Sequence, residues 1–342
     1  MARAGDKFVA KFDGKDQQKE GGYGSLVMST GVIGQALPVD KITKGLEDLE
    51  VGSGHDAWMR AAVAHMTTDT FPKVLSREVD LGNGKLVRFA GITKGAGMIH
   101  PNMATLLGTV CTDAGISQEL LDKALSFAVA RSFNAISVDG DMSTNDTIAV
   151  LANGAAAAAA TATAVSPLEG SDKSMWIDSE ASPDYTSFRD ALTEFMAELA
   201  GLVVRDGEGA TKFITVEVAG AREFSEARKV AATIATSSLV KTAFYGQDAN
   251  WGRILCAVGY SGVPLDTGKV CLALHPGDGS KPLQLVRQGE PLLPLDEERA
   301  SQILAQEDIL VRVDLGLGAE SARMYTCDLS HDYVSINADY RS

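Results

Sequence analysis

The chain has 342 residues, 45% of them hydrophobic and 22% charged, the composition of a globular protein with one large or two ordinary domains. A net charge of -14 with no basic run excludes nucleic acid as a partner, because holding phosphates requires a basic face. No apolar stretch approaches the roughly 18 to 20 residues that a membrane-spanning helix needs.

In chain order, the first 22 residues are charged and glycine-rich, with neither the apolar centre of a secretory signal nor the arginine-rich, acid-poor pattern of a transit peptide. Residues 25–28 (SLVM) read as a short apolar strand feeding the turn STGVIG at 29–34. Helices are expected over 39–50 and 57–66, the second ending in the hydroxyl-rich loop MTTDT at 66–70. Residues 86–92 alternate as a strand that delivers Lys94, and 106–110 form another. Ser117 caps a helix in which Leu120, Leu121, Ala124, Leu125, Ala128 and Val129 repeat at helical spacing. An alanine-rich low-complexity stretch (155–164) and a polar, exposed loop (166–183) precede an amphipathic helix at 188–202. Strands follow at 212–218 and 309–315. Strands mixed with helices throughout imply an α/β or α+β layered fold. Cys111, Cys256, Cys271 and Cys327 lack any ligand or redox spacing and read as reduced core residues of an intracellular protein.

The chemistry centres on KGAGMIHPNMAT at 94–105, which crowds glycines, a proline and small residues onto Thr105. That pattern suits self-cleavage. Thr105 Oγ attacks the Ala104 carbonyl, the acyl group moves from nitrogen to oxygen, and water opens the ester, helped by a strained glycine-rich approach. The freed α-amino group, with a reference pKa of about 7.7 to 8.0, then serves as base for the Thr105 hydroxyl. On composition alone the simpler account, a glycine-rich turn entering a core strand, stands ahead of it.

Other constellations are weaker. DGDMS at 139–143 begins like a calcium loop, but the required sixth and twelfth positions are Thr144 and Val150, so Asp139, Asn145 and Asp146 are better read as satisfying backbone donors in a tight loop. His100 reads as a support for the turn rather than a general base, and the other histidines have no ligand or triad spacing. GAG at 95–97 lacks the lysine and hydroxyl residue of a phosphate loop. The segment 245–253 either lines a pocket with polar groups or packs through Phe244 and Trp251.

The segment at 94–105, with STGVIG (29–34), MTTDT (66–70), SVDGDMSTNDT (137–147), DGEGATK (206–212), YGQDANWGR (245–253) and INADYRS (336–342), resembles the ornithine acetyltransferase family, the arginine-biosynthesis enzymes often called ArgJ. The resemblance runs from about Gly24 to the end. It implies an α/β, α+β layered fold, the αββα sandwich of the ArgJ and DmpA type, with an autoprocessed amino-terminal threonine nucleophile. It divides the chain into an α chain at 1–104 and a β chain at 105–342. By resemblance the bond Ala104-Thr105 is cut, Thr105 is the nucleophile, and Thr30 and Gly31 form the oxyanion hole. Thr68, Lys94, Thr105, Glu208, Asn337 and Ser342 match the substrate-holding positions. The implied reaction moves acetyl from N-acetylornithine to glutamate through a Thr105 ester. Acetyl-CoA is left open as a second donor, and neither a metal nor an organic cofactor is implied. The implied assembly is a heterotetramer of two α and two β chains.

Two departures from the family pattern shape the remaining expectations. Family members carry a longer segment before STGVIG, so the chain reads as shortened at its amino terminus. The segment 155–200 reads as an insertion of the kind fungal mitochondrial members carry, which points to the mitochondrial matrix, with the cytoplasm as alternative. Two rival readings are a self-processed amidohydrolase or aminopeptidase of the same architecture, and a non-catalytic fragment acting as an interaction partner.

Overall fold

The structure is a computed structural model that describes residues 5, 25–32, 34–82, 84–100, 106–143, 145–159 and 175–339. Along the chain come α1 (Val39–Glu47), α2 (His55–His65), β1 (Lys73–Asp80), β2 (Leu86–Lys94), β3 (Leu107–Thr112), β4 (Gly115–Ile116), α3 (Gln118–Val129), β5 (Ile136–Ser137) and β6 (Thr147–Ala152). They are followed by α4 (Ala155–Ala159), β7 (Trp176–Ile177), α5 (Pro183–Arg205), β8 (Phe213–Ala221), α6 (Phe224–Ala235), α7 (Ser238–Tyr245) and α8 (Trp251–Tyr260). The last elements are β9 (Cys271–Pro276), β10 (Leu283–Arg287), β11 (Glu290–Pro291), α9 (Glu297–Leu304), β12 (Asp308–Asp314), β13 (Glu320–Cys327) and α10 (His331–Asp339).

Two main sheets form the layers of an α/β sandwich: β1-β2-β3-β6, and β11-β10-β9-β12-β8-β13-β5. In the larger sheet β8 alternates so that Ile214, Val216 and Val218 face inward, where they join Val311 and Val313 of β12 and Val230 and Ile234 of α6 in one apolar cluster. The smaller sheet is completed by α5. Ser182 Oγ accepts the Tyr185 N–H at 3.1 Å and Pro183 presets the first helical turn, so the helix starts five residues before its predicted onset at 188. Its buried residues Tyr185, Phe188, Leu192, Phe195, Met196 and Leu199 recur at helical spacing, and the rings of Phe188 and Phe195 each lie 5.6 Å from that of Phe89 in β2. Within 155–200, therefore, the span from Tyr185 onward belongs to the core.

The structure amends three local expectations. Residues 25–28 form no strand: Leu26 is 66% exposed and no sheet partner runs beside it among the described residues. The stretch 166–183 is not exposed throughout, since Ile177 is buried and pairs with Ile116. Of the four cysteines, all free, only Cys327 is buried; Cys111 and Cys271 are half-buried and Cys256 is exposed on α8.

Candidate active site

The end of β2 and the loop after it are held by residues remote in sequence. Lys94 is buried, and its Nζ donates to Thr67 Oγ1 at 2.8 Å. Gly95 N–H donates to Asp69 Oδ1 at 2.7 Å, and Ala96 accepts from the Glu208 N–H at 2.9 Å. Met98 and Ile99 N–H both donate to Asp139, at 2.7 and 3.0 Å. His100 Nδ1 lies 3.2 Å from Ser137 Oγ, a supporting contact of the kind its place beside the turn suggested.

Beneath this loop lies a buried charge cluster. Lys73 Nζ bridges Asp69, at 2.7 Å, and Asp206, while Thr70 donates both its N–H and its hydroxyl to Asp206. Burial alone would raise the Asp69 carboxyl, but the hydrogen bond from Lys73 and the amides of Thr67 and Gly95 outweigh it and hold the group below its ordinary value. The cluster ties the MTTDT loop to DGEGATK. Asp328 completes the tie by accepting from Thr211 N–H (2.8 Å), Thr211 Oγ1 (2.6 Å) and Lys212 N–H (2.9 Å).

These supports bring Lys94 and Glu208, residues of opposite charge, to the same loop through the Ala96–Glu208 backbone hydrogen bond. Burial pushes the Lys94 ammonium below the usual lysine range, with Asp69 opposing the shift, Lys73 adding to it and Glu208 opposing it least. Glu208 lies over Gly97, where an added Cβ would sit 2.5 Å from its Oε2. Asn337 on α10 donates to the same Oε2 at 2.9 Å. The helix reaches this point because Gly209 adopts φ +70° and passes the Tyr333 backbone too closely for any side chain, while Ser330 Oγ donates to its carbonyl at 2.6 Å. Thr68 is half-buried in the loop beside Thr67.

On the far side of the candidate cleavage bond, Leu106 is 1% exposed; its N–H donates to Asp146 Oδ1 at 2.7 Å and its carbonyl accepts from Thr147 at 3.0 Å. Burial raises the Asp146 carboxyl to about 6 against that hydrogen bond, and its Oδ2 is buried without a partner among the described residues. Neighbouring Asn145 donates its side-chain amide to the Ser29 carbonyl, one residue before Thr30 and Gly31. Asp139 and Asp146 thus satisfy backbone donors, as the sequence suggested, whereas Asn145 satisfies an acceptor. Both Asp139 oxygens accept backbone amides, as the tight-loop reading expects.

The structure therefore gathers Lys94, Glu208, Asn337 and the Thr67-Thr68 loop, and links Thr30-Gly31 to the strand that follows Thr105. Ala104, Thr105 and Ser342 lie outside the described residues. Sequence reasoning passed over Thr67, Lys73, Asp206 and Tyr333, whose hydroxyl lies 3.4 Å from Asp139. The segment 245–253 packs: Phe244 is buried, Trp251 lies against the core, and Asn250 caps α8 by accepting the Arg253 N–H at 3.1 Å.

Layered sheets flanked by helices, with a buried charge cluster where β2 meets 206–212, define an α/β sandwich class; the comparisons with known proteins specify it. The chain belongs to the ArgJ family, whose profile matches residues 9–342. It is 55% identical over 320 residues to the mitochondrial arginine biosynthesis bifunctional protein ArgJ of Schizosaccharomyces pombe, covering 93% of this chain and 68% of that protein. The same-named protein of Aspergillus terreus is 53% identical over 334 residues, covering 93% and 70%. A crystal structure of the arginine biosynthesis bifunctional protein ArgJ from Bacillus halodurans superposes with a TM-score of 0.56 at 40% identity, covering 68% of this chain and 97% of that one.

Proposed function

We propose that this chain is an acetyltransferase of arginine biosynthesis that moves an acetyl group from N-acetylornithine to glutamate, through an ester on Thr105 formed after self-cleavage at Ala104-Thr105. One observation carries the reading: the buried Lys94 ammonium has only the Thr67 hydroxyl as hydrogen-bond partner among the described residues. A buried cation requires an anion, and the α-carboxylate of an amino-acid substrate supplies it. Glu208, close by and of opposite sign, is the matching acceptor for a substrate ammonium. Thr68, Asn337 and Ser342 complete the substrate contacts in this reading.

In the first half-reaction Thr105 Oγ attacks the acetyl carbonyl while its proton passes to the freed α-amine of Thr105. The Thr30 hydroxyl and Gly31 N–H hold the oxyanion, and its collapse expels ornithine, which takes the proton. Glutamate's amine then attacks the ester carbon, and Thr105 Oγ departs with the proton that amine has lost. The reading calls for no metal or organic cofactor. The word "bifunctional" in the relatives' names supports a second donor, acetyl-CoA, and with it an amino-acid N-acetyltransferase activity. The working unit in this reading is a heterotetramer of two α chains (1–104) and two β chains (105–342). The relatives' mitochondrial names favour the matrix.

The test is ornithine release from N-acetylornithine with and without glutamate, beside a denaturing gel of the purified protein. Glutamate-dependent release and two bands meeting at Thr105, both abolished in Thr105→Ala, are expected. Release that ignores glutamate would identify a hydrolase, and one unbroken band would end the processing model.

A further inference from the structure

Three consecutive residues touch both sides of the proposed chemistry. Asn145 donates to the carbonyl of Ser29, the residue before the Thr30-Gly31 turn. Asp146 Oδ1 accepts the N–H of Leu106, the amide on the carboxyl side of Thr105, at 2.7 Å. The Thr147 N–H donates to the Leu106 carbonyl at 3.0 Å, and Thr147 opens β6, which runs parallel to β3 from the pair Leu107↔Thr147 to Thr112↔Ala152. Residues 29, 106 and 145–147 are brought together by no other contact described above. Within the turn at 29–34, Ser29 and Thr30 are half-buried while Gly31, Val32 and Gly34 are exposed. Among the described residues, the side-chain amide of Asn145 ties this turn to the strand entry by a directional bond.

We propose that Asn145 and Asp146 are positioning residues that act as a single spacer, fixing the oxyanion turn at Thr30-Gly31 against the nucleophile Thr105. The inference rests on the reading of Thr105, Thr30 and Gly31 given above. Its physical basis is that an oxyanion hole stabilises charge only when its donors stand within hydrogen-bond distance of where the oxygen will form. Asn145 sets one end of that separation through Ser29, and Asp146 sets the other through Leu106. Because they are adjacent on a strand entry held by the β3–β6 ladder, neither end can drift without loss of a ladder or side-chain hydrogen bond.

The experiment measures kcat and KM of acetyl transfer, and the rate of self-cleavage, for Asn145→Ala, Asp146→Ala, the double variant and Asp146→Asn, with melting curves to establish folding. A misplacement of about 1 Å costs on the order of a hundredfold in rate, so each alanine variant should lose at least about tenfold in kcat with KM within about twofold. The double variant should lose little more than either single one, because the spacer fails once. Asp146→Asn keeps a carbonyl oxygen toward Leu106 and should recover most of the rate. Folded alanine variants with unchanged kcat, strictly multiplicative losses, or an Asp146→Asn variant as slow as Asp146→Ala would each overturn the spacer. Should Asp146→Ala fail to fold, Asn145→Ala and Asp146→Asn decide alone: a slow Asn145→Ala beside an active Asp146→Asn supports the spacer, and any other pairing overturns it. Thr105→Ala separates the two levels, since transfer by that variant would sink the underlying reading, whereas its inactivity beside fully active spacer variants would sink the spacer only.

Discussion

In the seven-stranded sheet, the side chains of Val216, Val218, Leu272, Val311 and Val313 belong to a cluster to which they bring apolar surface alone. The seam between residues 66–73 and 206–212 is closed instead by one ammonium, two carboxylates, and the amides and hydroxyl that donate to them. Apolar contact is non-directional, and burying each such side chain stabilises by about 1.5 to 3 kcal/mol whichever way it points. The seam contributes less net stability, because desolvation offsets most of its attraction, but it fixes one geometry. The residues that need one geometry are Lys94 and Glu208, and both adjoin the seam through Thr67 and the 206–212 segment.

Replacing Lys73 tests this difference most severely. Lys73→Met leaves Asp69 and Asp206 buried without their cation and should destabilise the fold by about 3 to 5 kcal/mol in chemical denaturation. The effect should be pH-dependent in a defined direction. The folded pKa of Asp69 lies below 3.8, so its stabilisation is complete above 3.8 and is lost as the pH falls through the lower folded value. The gap between the native protein and Lys73→Met should accordingly narrow in strong acid, and a constant gap would contradict the assignment.

The apolar side should fail differently. Leu272→Ala should cost about 2 to 5 kcal/mol by leaving a cavity, with activity per folded molecule unchanged. Leu272→Met, close in volume, should cost under about 1.5 kcal/mol. An activity loss larger than the folded fraction explains would blur the distinction between the two regions. The smallest effect belongs to Asn337→Ala, which removes one exposed hydrogen bond to Glu208. A bond of that kind is worth about 0.5 to 1.5 kcal/mol, so KM should rise a few fold while the unfolding midpoint stays in place.

Much of this was legible in the chain because the signals were local. Ser117 ahead of Leu120, Leu121, Ala124 and Ala128 specifies a capped amphipathic helix, and α3 is that helix. The alternation at 86–92 specifies β2. The failures were of partnership. The run at 25–28 has the apolar character of a strand but no neighbour to complete its hydrogen bonds among the described residues. Pro183 read as the end of a loop, although one residue after a serine it is an equally good first residue of a helix. At the site, the residue types in MTTDT and DGEGATK marked where charge gathers, but Lys94 meets Thr67 rather than Thr68, and Lys73 carries no mark in sequence that distinguishes it from a surface lysine. Its role exists only once Asp69 and Asp206, 137 positions apart, face one another.

The pairing of β2 with β3, from Phe89↔Thr112 to Lys94↔Leu107, has a consequence for the life of the molecule. A cut at Ala104-Thr105 falls in the connection between these strands, so the smaller sheet is then stitched from two separate polypeptides. While the ladder stands, the two pieces stay paired through β2 and β3. Once the sheet melts, the two pieces diffuse apart, and reunion becomes a bimolecular event burdened by lost translational and rotational freedom. Maturation at this bond would write an irreversible step into the fold: a protein assembled once, as a continuous chain, and dependent ever after on not coming undone.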